Sequence, residues 1–177
     1  MADRLYERDP QTWLAHLAEG NAQQPRKRVA ADAIIRDQPG RLLLVNPNYK
    51  PDWDLPGGMA EANEAPIDAV RRELREELGL TLTIQALLCV DWVPPHGPWD
   101  DTLVFVFDAA ALHPDQIDAI MISDQELDAF RFCTEGEASD LLRPYVWSRA
   151  TLALDAMRTG RTHYAHFGAA ISDGSDS

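Results

Sequence analysis

Residues 53–80 read WDLPGGMAEANEAPIDAVRRELREELGL, and the folding of this stretch decides how the rest of the chain is read. Its first half is rich in Pro and Gly and is expected to be a loop; from Pro66 the spacing turns helical. Ile67, Val70, Leu74 and Leu78 fall on one side of a helical wheel, which predicts a helix over 66–78 buried against a sheet. Glu73, Glu76 and Glu77 fall within an arc of roughly 100° beside that stripe. Glu73 and Glu77, four residues apart, repel each other by about 0.3 kcal/mol. Arg72 and Arg75 lie on flanking faces and offset only part of this. Two readings stand open: a solvated, ion-paired face, or a site for a hard divalent cation that takes carboxylate oxygens. Gly79 is placed to end the helix in a left-handed conformation.

Upstream, DPQTWLAHLAEG reads as a short helix capped by Asp9, with Pro10 in its first turn, an apolar stripe of Trp13, Leu14 and Leu17, and an end at Gly20. After a polar linker, RVAADAIIR and RLLLVN read as strands joined by a turn at DQPG and pairing as a hairpin. Downstream, LTIQALLCVDWV, TLVFVFDA and LDAFRF read as strands, and ALHPDQIDAIMISDQE mostly as loop. Thr134 and Glu137 form a capping box before a short helix, and Pro144 opens a last helix to about Arg158. This order predicts an α/β (α+β) sandwich, a mixed β-sheet between helices. The expected divisions are an N-terminal helix and linker at 1–26, the principal domain at 27–160, and a partly disordered C-terminal tail at 161–177 that ends in SDGSDS.

The bulk numbers narrow the function classes. A chain of 177 residues suffices for one domain with its own core. A net charge of −13 argues against a nucleic-acid partner, which would call for a basic footprint. It also means that an anionic substrate needs a metal ion or local basic groups to approach. Cys89 and Cys133 sit in apolar runs with no zinc or disulfide spacing, so buried free thiols in a reducing cytoplasm are expected. The charged N-terminus lacks the apolar core of a signal peptide, and no apolar run is long enough to span a membrane.

The loop and the helix together resemble the Nudix box: a glycine, five residues, a glutamate, seven residues, then Arg-Glu-aliphatic-any-Glu-Glu-any-Gly-aliphatic. Gly58, Glu64, Arg72, Glu73, Leu74, Glu76, Glu77, Gly79 and Leu80 fill every defined position. A chance match is on the order of one in 10⁵ at background frequencies. Asn63 stands where many members of the family have Gly; Asn is the next-best residue for a left-handed turn.

The resemblance implies a Nudix-type α/β/α sandwich and a Mg²⁺- or Mn²⁺-dependent hydrolase of a nucleoside diphosphate linked to a further moiety. It implies that Glu73, Glu76 and Glu77 are metal ligands, one of them a candidate general base, with a main-chain carbonyl at Gly57 or Gly58 as a further ligand. Glu64 and Arg72 would brace the loop against the helix. A further acid from a later loop often completes such a site; the candidates are Asp100, Asp101, Asp124, Glu126 and Asp128, with Glu126 preferred because it lies just before LDAFRF. For substrate binding, Arg28 beside the first strand is a candidate anion contact, and Trp53, His96 and Trp99 are candidates to stack on or wall in a base. The partner is then a small diphosphate compound of nucleotide type, and a homodimer is expected only because many relatives are dimers. Two other readings fit the fold: a nucleotide or ligand sensor without turnover, and a prenyl diphosphate phosphohydrolase or isomerase. An isomerase would want a cysteine facing the diphosphate.

Overall fold

The computed structural model describes residues 4–123 and 125–171; Asp124 and the terminal SDGSDS lie outside the described residues. Two helices, α1 (Leu5–Arg8) and α2 (Pro10–Gln23), precede β1 (Arg28–Ile34), β2 (Leu42–Pro47), β3 (Gly57–Met59) and α3 (Pro66–Leu78). Then come β4 (Ile84–Val93), β5 (Thr102–Ala109), α4 (Pro114–Asp118), β6 (Leu127–Cys133), α5 (Glu135–Leu141), α6 (Pro144–Thr159), β7 (His163–His166) and β8 (Ala169–Ala170).

The main sheet is mixed, in the order β3-β1-β5-β4-β7-β8, and β2 pairs with β6 in a second, two-stranded sheet. β1 runs parallel to β5, and β4 parallel to β7; the other pairings are antiparallel. α3 packs on β1 and β3, and α6 on β4 and β5. Two apolar clusters follow from this layering. Ala31, Ala33, Ala69, Val70 and Leu74 belong to the one under α3. Ile34, Val104, Val106, Val146, Ala150 and Ala153 belong to the one under α6. Alternation along β1 thus sends Ala31 and Ala33 to one face and Asp32 and Ile34 toward the other. The small alanines let α3 lie close to the strand.

Three expectations are corrected. The turn after β1 closes, with the Leu43 N–H donating to the Ile35 carbonyl, but β1 and β2 then part instead of pairing as a hairpin. A strand has two edges, and those of β1 are taken by β3 and β5. Helix α2 runs through Gly20 to Gln23, because an interior glycine costs only about 1 kcal/mol. It stops where Pro25 drives Gln24 into the extended conformation that ends the helix, at φ −72° and ψ 137°. No residue of α1 or α2 is buried, and Leu14 remains 63% exposed. Finally, the sheet continues past residue 160, where the tail was expected, because β7 adds to the edge of β4.

Candidate active site

The helix is built as its spacing predicts. Val70, Leu74 and Leu78 are fully buried, and Gly79 ends α3 at φ 68° with its N–H on the Arg75 and Leu74 carbonyls. Asn63 takes the left-handed conformation, φ 64°, in the turn before it. Glu64 and Arg72 form a two-pronged ion pair, Nε to Oε1 at 3.0 Å and NH2 to Oε2 at 2.9 Å. This bond holds the Glu64 carboxyl down at about 2. Arg72 also donates to the Met59 carbonyl at 3.0 Å, to Glu73 Oε1 at 2.9 Å and to Glu76 Oε2 at 3.0 Å. One guanidinium therefore ties the loop, the edge strand and the helix together.

The two glycines of β3 bring the main chain against the carboxylates. Gly57 donates its N–H to Glu77 Oε2 at 3.0 Å, and Glu77 is buried. Gly57 sits at φ 138°, where an added Cβ would stand 2.2 Å from the Ala31 carbonyl oxygen. At Gly58 an added Cβ would stand 2.6 Å from the Glu73 carboxyl group, so only glycine lets that carboxylate lie against the backbone.

Glu73, Glu77, Gly57 and Gly58 line a cleft of about 560 Å³. Glu126, just before β6, also lines it, and its carbonyl accepts from Asn48 N–H. Arg28, Lys50, Arg143 and Arg149 bring positive charge to the same cleft, and Val93, Val104 and Val146 give it an apolar wall. At its mouth the chain folds back between His96 and Trp99, which exchange both backbone hydrogen bonds at 3.0 Å. Trp99 is 55% exposed, with the Arg28 guanidinium 4.7 Å over its ring.

Of the sequence candidates, Glu73, Glu77, Glu126, Gly57, Gly58, Arg28, His96 and Trp99 meet in this cleft. Glu64 and Arg72 stand outside it as the brace. Glu76 turns to a neighbouring depression that it shares with Ser123, Gln125 and Glu126. Trp53 is not in the cleft: it bridges to Leu142 and packs on the core, because the loop that carries it is pinned to β2 through Asp54 and Val45. Asp101 is tied to Lys27 and to Trp92 Nε1, bonds that hold its carboxyl below the usual carboxylate range. Asp100 and Asp128 are exposed and do not line the cleft, and Asp124 lies outside the described residues. Cys89 and Cys133 are buried, and burial pushes the Cys89 thiol up to about 12.

The floor of the cleft holds groups that the sequence reading passed over. Arg149, on α6, donates Nε to Asp91 Oδ2 at 2.8 Å and NH1 to Asp32 Oδ2 at 3.3 Å. All three residues are buried. Asp91 also accepts the Gly168 N–H, at 3.0 Å to Oδ1, from the turn between β7 and β8. Burial pushes the Asp32 carboxyl up to about 7 against the pull of the Arg149 charge, and nearby Asp54 adds to the rise. Tyr145 stacks on Phe167 with ring centroids 4.6 Å apart, and Arg143 lies 5.1 Å over its ring. The available signals were an acid inside each of two apolar strands and an arginine on the buried face of a helix.

A family model, the NUDIX domain, matches residues 26–154. The chain belongs to the Nudix family. An ADP-ribose pyrophosphatase of Methanocaldococcus jannaschii is 37% identical over 82 residues, 45% of this chain and 48% of that protein. The chain thus spans about half the length of that relative. Phosphatase NudJ of Escherichia coli (strain K12) is 31% identical over 120 residues, 64% of this chain and 75% of that protein. Among solved structures, the MutT protein of Methanosarcina mazei Go1 superposes with a TM-score of 0.62 at 20% identity, covering 78% of this chain and all of that one. That last likeness shows the Nudix fold, a mixed sheet between helices. Among the described residues, no helix is long and apolar enough to cross a membrane.

The donor chemistry of the box wall fits a hard divalent ion. Its side-chain donors are carboxylate oxygens, and Gly58 leaves Glu73 room against the main chain. Among the described residues, no three His, Cys, Asp or Glu groups converge as a preformed cage. Arg72 holds Glu73 and Glu76, and Gly57 holds Glu77.

Proposed function

We propose that this chain is a Mg²⁺- or Mn²⁺-dependent hydrolase that cleaves the diphosphate linkage of a nucleoside diphosphate-X compound. The observation that carries the reading is the shared cleft: Glu73, Glu77 and Glu126 line it together with Arg28, Lys50 and Arg143. Glu73, Glu77 and Glu126 would hold the ion, with a carbonyl of Gly57 or Gly58, and Glu76 from the rim. Bound there, a divalent ion neutralises the diphosphate, polarises a phosphoryl group and lowers the pKa of a bound water.

The protein's own groups do the rest. Arg28, Lys50 and Arg143 hold the phosphate oxygens in place, so that catalysis comes from positioning and charge. A carboxylate of the box takes the proton of the attacking water. The water oxygen bonds to phosphorus as the anhydride P–O bond breaks, and two phosphate-bearing products leave. The Arg72–Glu64 brace keeps the loop and helix in register while this happens. ADP-ribose belongs on the substrate panel because the M. jannaschii relative is named for it.

The test is a panel of nucleoside triphosphates, ADP-ribose, dinucleoside polyphosphates, sugar nucleotides and prenyl diphosphates, with Mg²⁺, Mn²⁺ or chelator and with products identified. Turnover should need the metal and should be lost in Glu77→Gln while the fold is retained. Water labelled with oxygen-18 then shows which phosphorus is attacked. No release from any diphosphate, alongside tight ligand binding, would instead favour a sensor without turnover.

A further inference from the structure

The cleft floor carries more hydrogen-bonding capacity than the fold uses. Asp32 Oδ2 has one long bond, to Arg149 NH1 at 3.3 Å, and Oδ1 takes no hydrogen bond from any described residue. On Arg149, Nε is spent on Asp91 and NH1 on Asp32, while NH2 makes no hydrogen bond to a described residue. Neither Asp32 Oδ1 nor Arg149 NH2 is sealed in the core, although their residues are 9% and 4% exposed. Both residues line the cleft.

The pair is also held still. Asp91, fully buried, is anchored by the Gly168 N–H and fixes the Arg149 Nε. Gly168 is held where an added Cβ would stand 2.4 Å from the Tyr145 carbonyl oxygen. The segment after α6 therefore positions Arg149, and Arg149 and Asp32 together present a fixed donor beside a carboxylate.

We infer that Asp32 and Arg149 are the specificity determinants that read the edge of the substrate's nucleobase, and that the base they select is guanine. This rests on the nucleotide reading above. A carboxylate offers two acceptor oxygens and no donor, and a guanidinium offers donors only. The matching edge has two adjacent N–H donors next to a carbonyl. Guanine has such an edge in N2–H, N1–H and O6. Adenine, cytosine and uracil each present one N–H donor group on that edge, with at least one adjacent acceptor that would face the carboxylate. A buried polar site built for one pattern rejects its analogues because its own groups are then left unpaired. Trp99, which lines the cleft and is exposed, supplies aromatic surface for the ring.

The test is equilibrium binding of GDP, IDP, ADP, UDP and CDP to the full chain, by calorimetry in chelator at about pH 8, where Asp32 is ionised and no turnover is required. GDP should bind at least about tenfold more tightly than ADP, UDP or CDP. IDP, which lacks the 2-amino group, should fall between GDP and ADP. Asp32→Asn replaces one acceptor by a donor; it should bring the GDP-to-ADP ratio close to one with the melting temperature retained. Arg149→Lys keeps a charge for Asp91 and should weaken GDP more than ADP. Equal binding of GDP and ADP by the wild type would overturn the inference, as would an Asp32→Asn variant that weakens every nucleotide by the same factor. Guanine-selective binding without hydrolysis of any guanosine compound would sink the hydrolase reading and leave this one standing.

Discussion

Alanine at Gly58 separates the fold from the chemistry. Its new Cβ would lie 2.6 Å from Cδ and Oε1 of Glu73 and 3.0 Å from Oε2. Ordinary contact needs about 3.5 Å, so the carboxylate must retreat by roughly 1 Å. It is the far end of a flexible side chain and can do so. Gly58 is not in the left-handed region, so alanine adds no backbone strain there. Removing a glycine also stabilises through the unfolded chain by roughly 0.4–1 kcal/mol. The melting temperature should therefore stay within about 3 °C of wild type. Activity should not. A displacement of about 1 Å at a positioned group costs around a hundredfold. Gly57→Ala is the contrast. Its Cβ would meet backbone, the Ala31 carbonyl oxygen at 2.2 Å, at φ 138°. It should destabilise by roughly 3 kcal/mol or more. The assay is thermal unfolding alongside metal-dependent product release on the best substrate of the panel. A Gly58→Ala chain that folds and keeps wild-type kcat/KM would remove Glu73 from the proposed metal site. A Gly58→Ala chain as unstable as Gly57→Ala would refute the geometry.

Arg72→Met removes the two-pronged bond to Glu64 and the bond to the Met59 carbonyl; it should lower the urea midpoint of unfolding with the slope unchanged, and an unchanged midpoint would deny the brace. Glu64 gives the pH dependence. Its carboxyl sits at about 2 when folded against an ordinary 4.5, so its stabilising contribution is present above pH 4.5 and disappears as pH falls toward 2. The melting-temperature gap between wild type and Glu64→Gln should thus be widest above pH 5 and close toward pH 2; a constant gap would deny the shift. Deleting residues 1–23 should leave the melting temperature of the remainder within about 2 °C, because no residue of α1 or α2 is buried. A large drop would show that these helices belong to the core.

What the sequence disclosed depended on distance along the chain. The brace, the helix stripe and the acids of the box lie within 23 residues; local periodicity displays the stripe and the acids, and the resemblance to the Nudix box implied the brace. Asn63 could be assigned a left-handed turn because so few residues tolerate one. Glu126 could be chosen by its place before a strand, but its meeting with Glu73 depends on β6 packing beside the main sheet. The floor was harder. Asp32, Asp91 and Arg149 come from three elements, with Arg149 117 residues after Asp32. No periodicity links them. The β1–β2 hairpin misled for the same reason: a short turn reports that two strands are joined, not which neighbours claim their edges. Trp53 misled through composition, since an aromatic in a Pro/Gly loop serves a pocket or a core equally well.

The floor charges also bear on how the cleft should be understood. Two aspartates and one arginine, all buried, make a poor device for holding a fold together. Removing such ions from water costs several kcal/mol each, and an apolar set of similar volume is often as stable or more so. Asp32 feels this directly, since burial outweighs the attraction of Arg149 in setting its protonation. Asp91 is compensated, with an N–H on one oxygen and a guanidinium on the other. Asp32 is not: among the described residues one of its oxygens takes no hydrogen bond, and it lines the cleft beside Arg149. A group of that kind is satisfied either by water or by a ligand. Water could fill the cleft without needing the donor and the acceptor held rigid from behind by Asp91 and Gly168. A ligand with a fixed pattern of donors and acceptors does need that rigidity, because misplaced partners discriminate poorly. The cost of burying these charges is then explained by what enters the cleft rather than by what surrounds it.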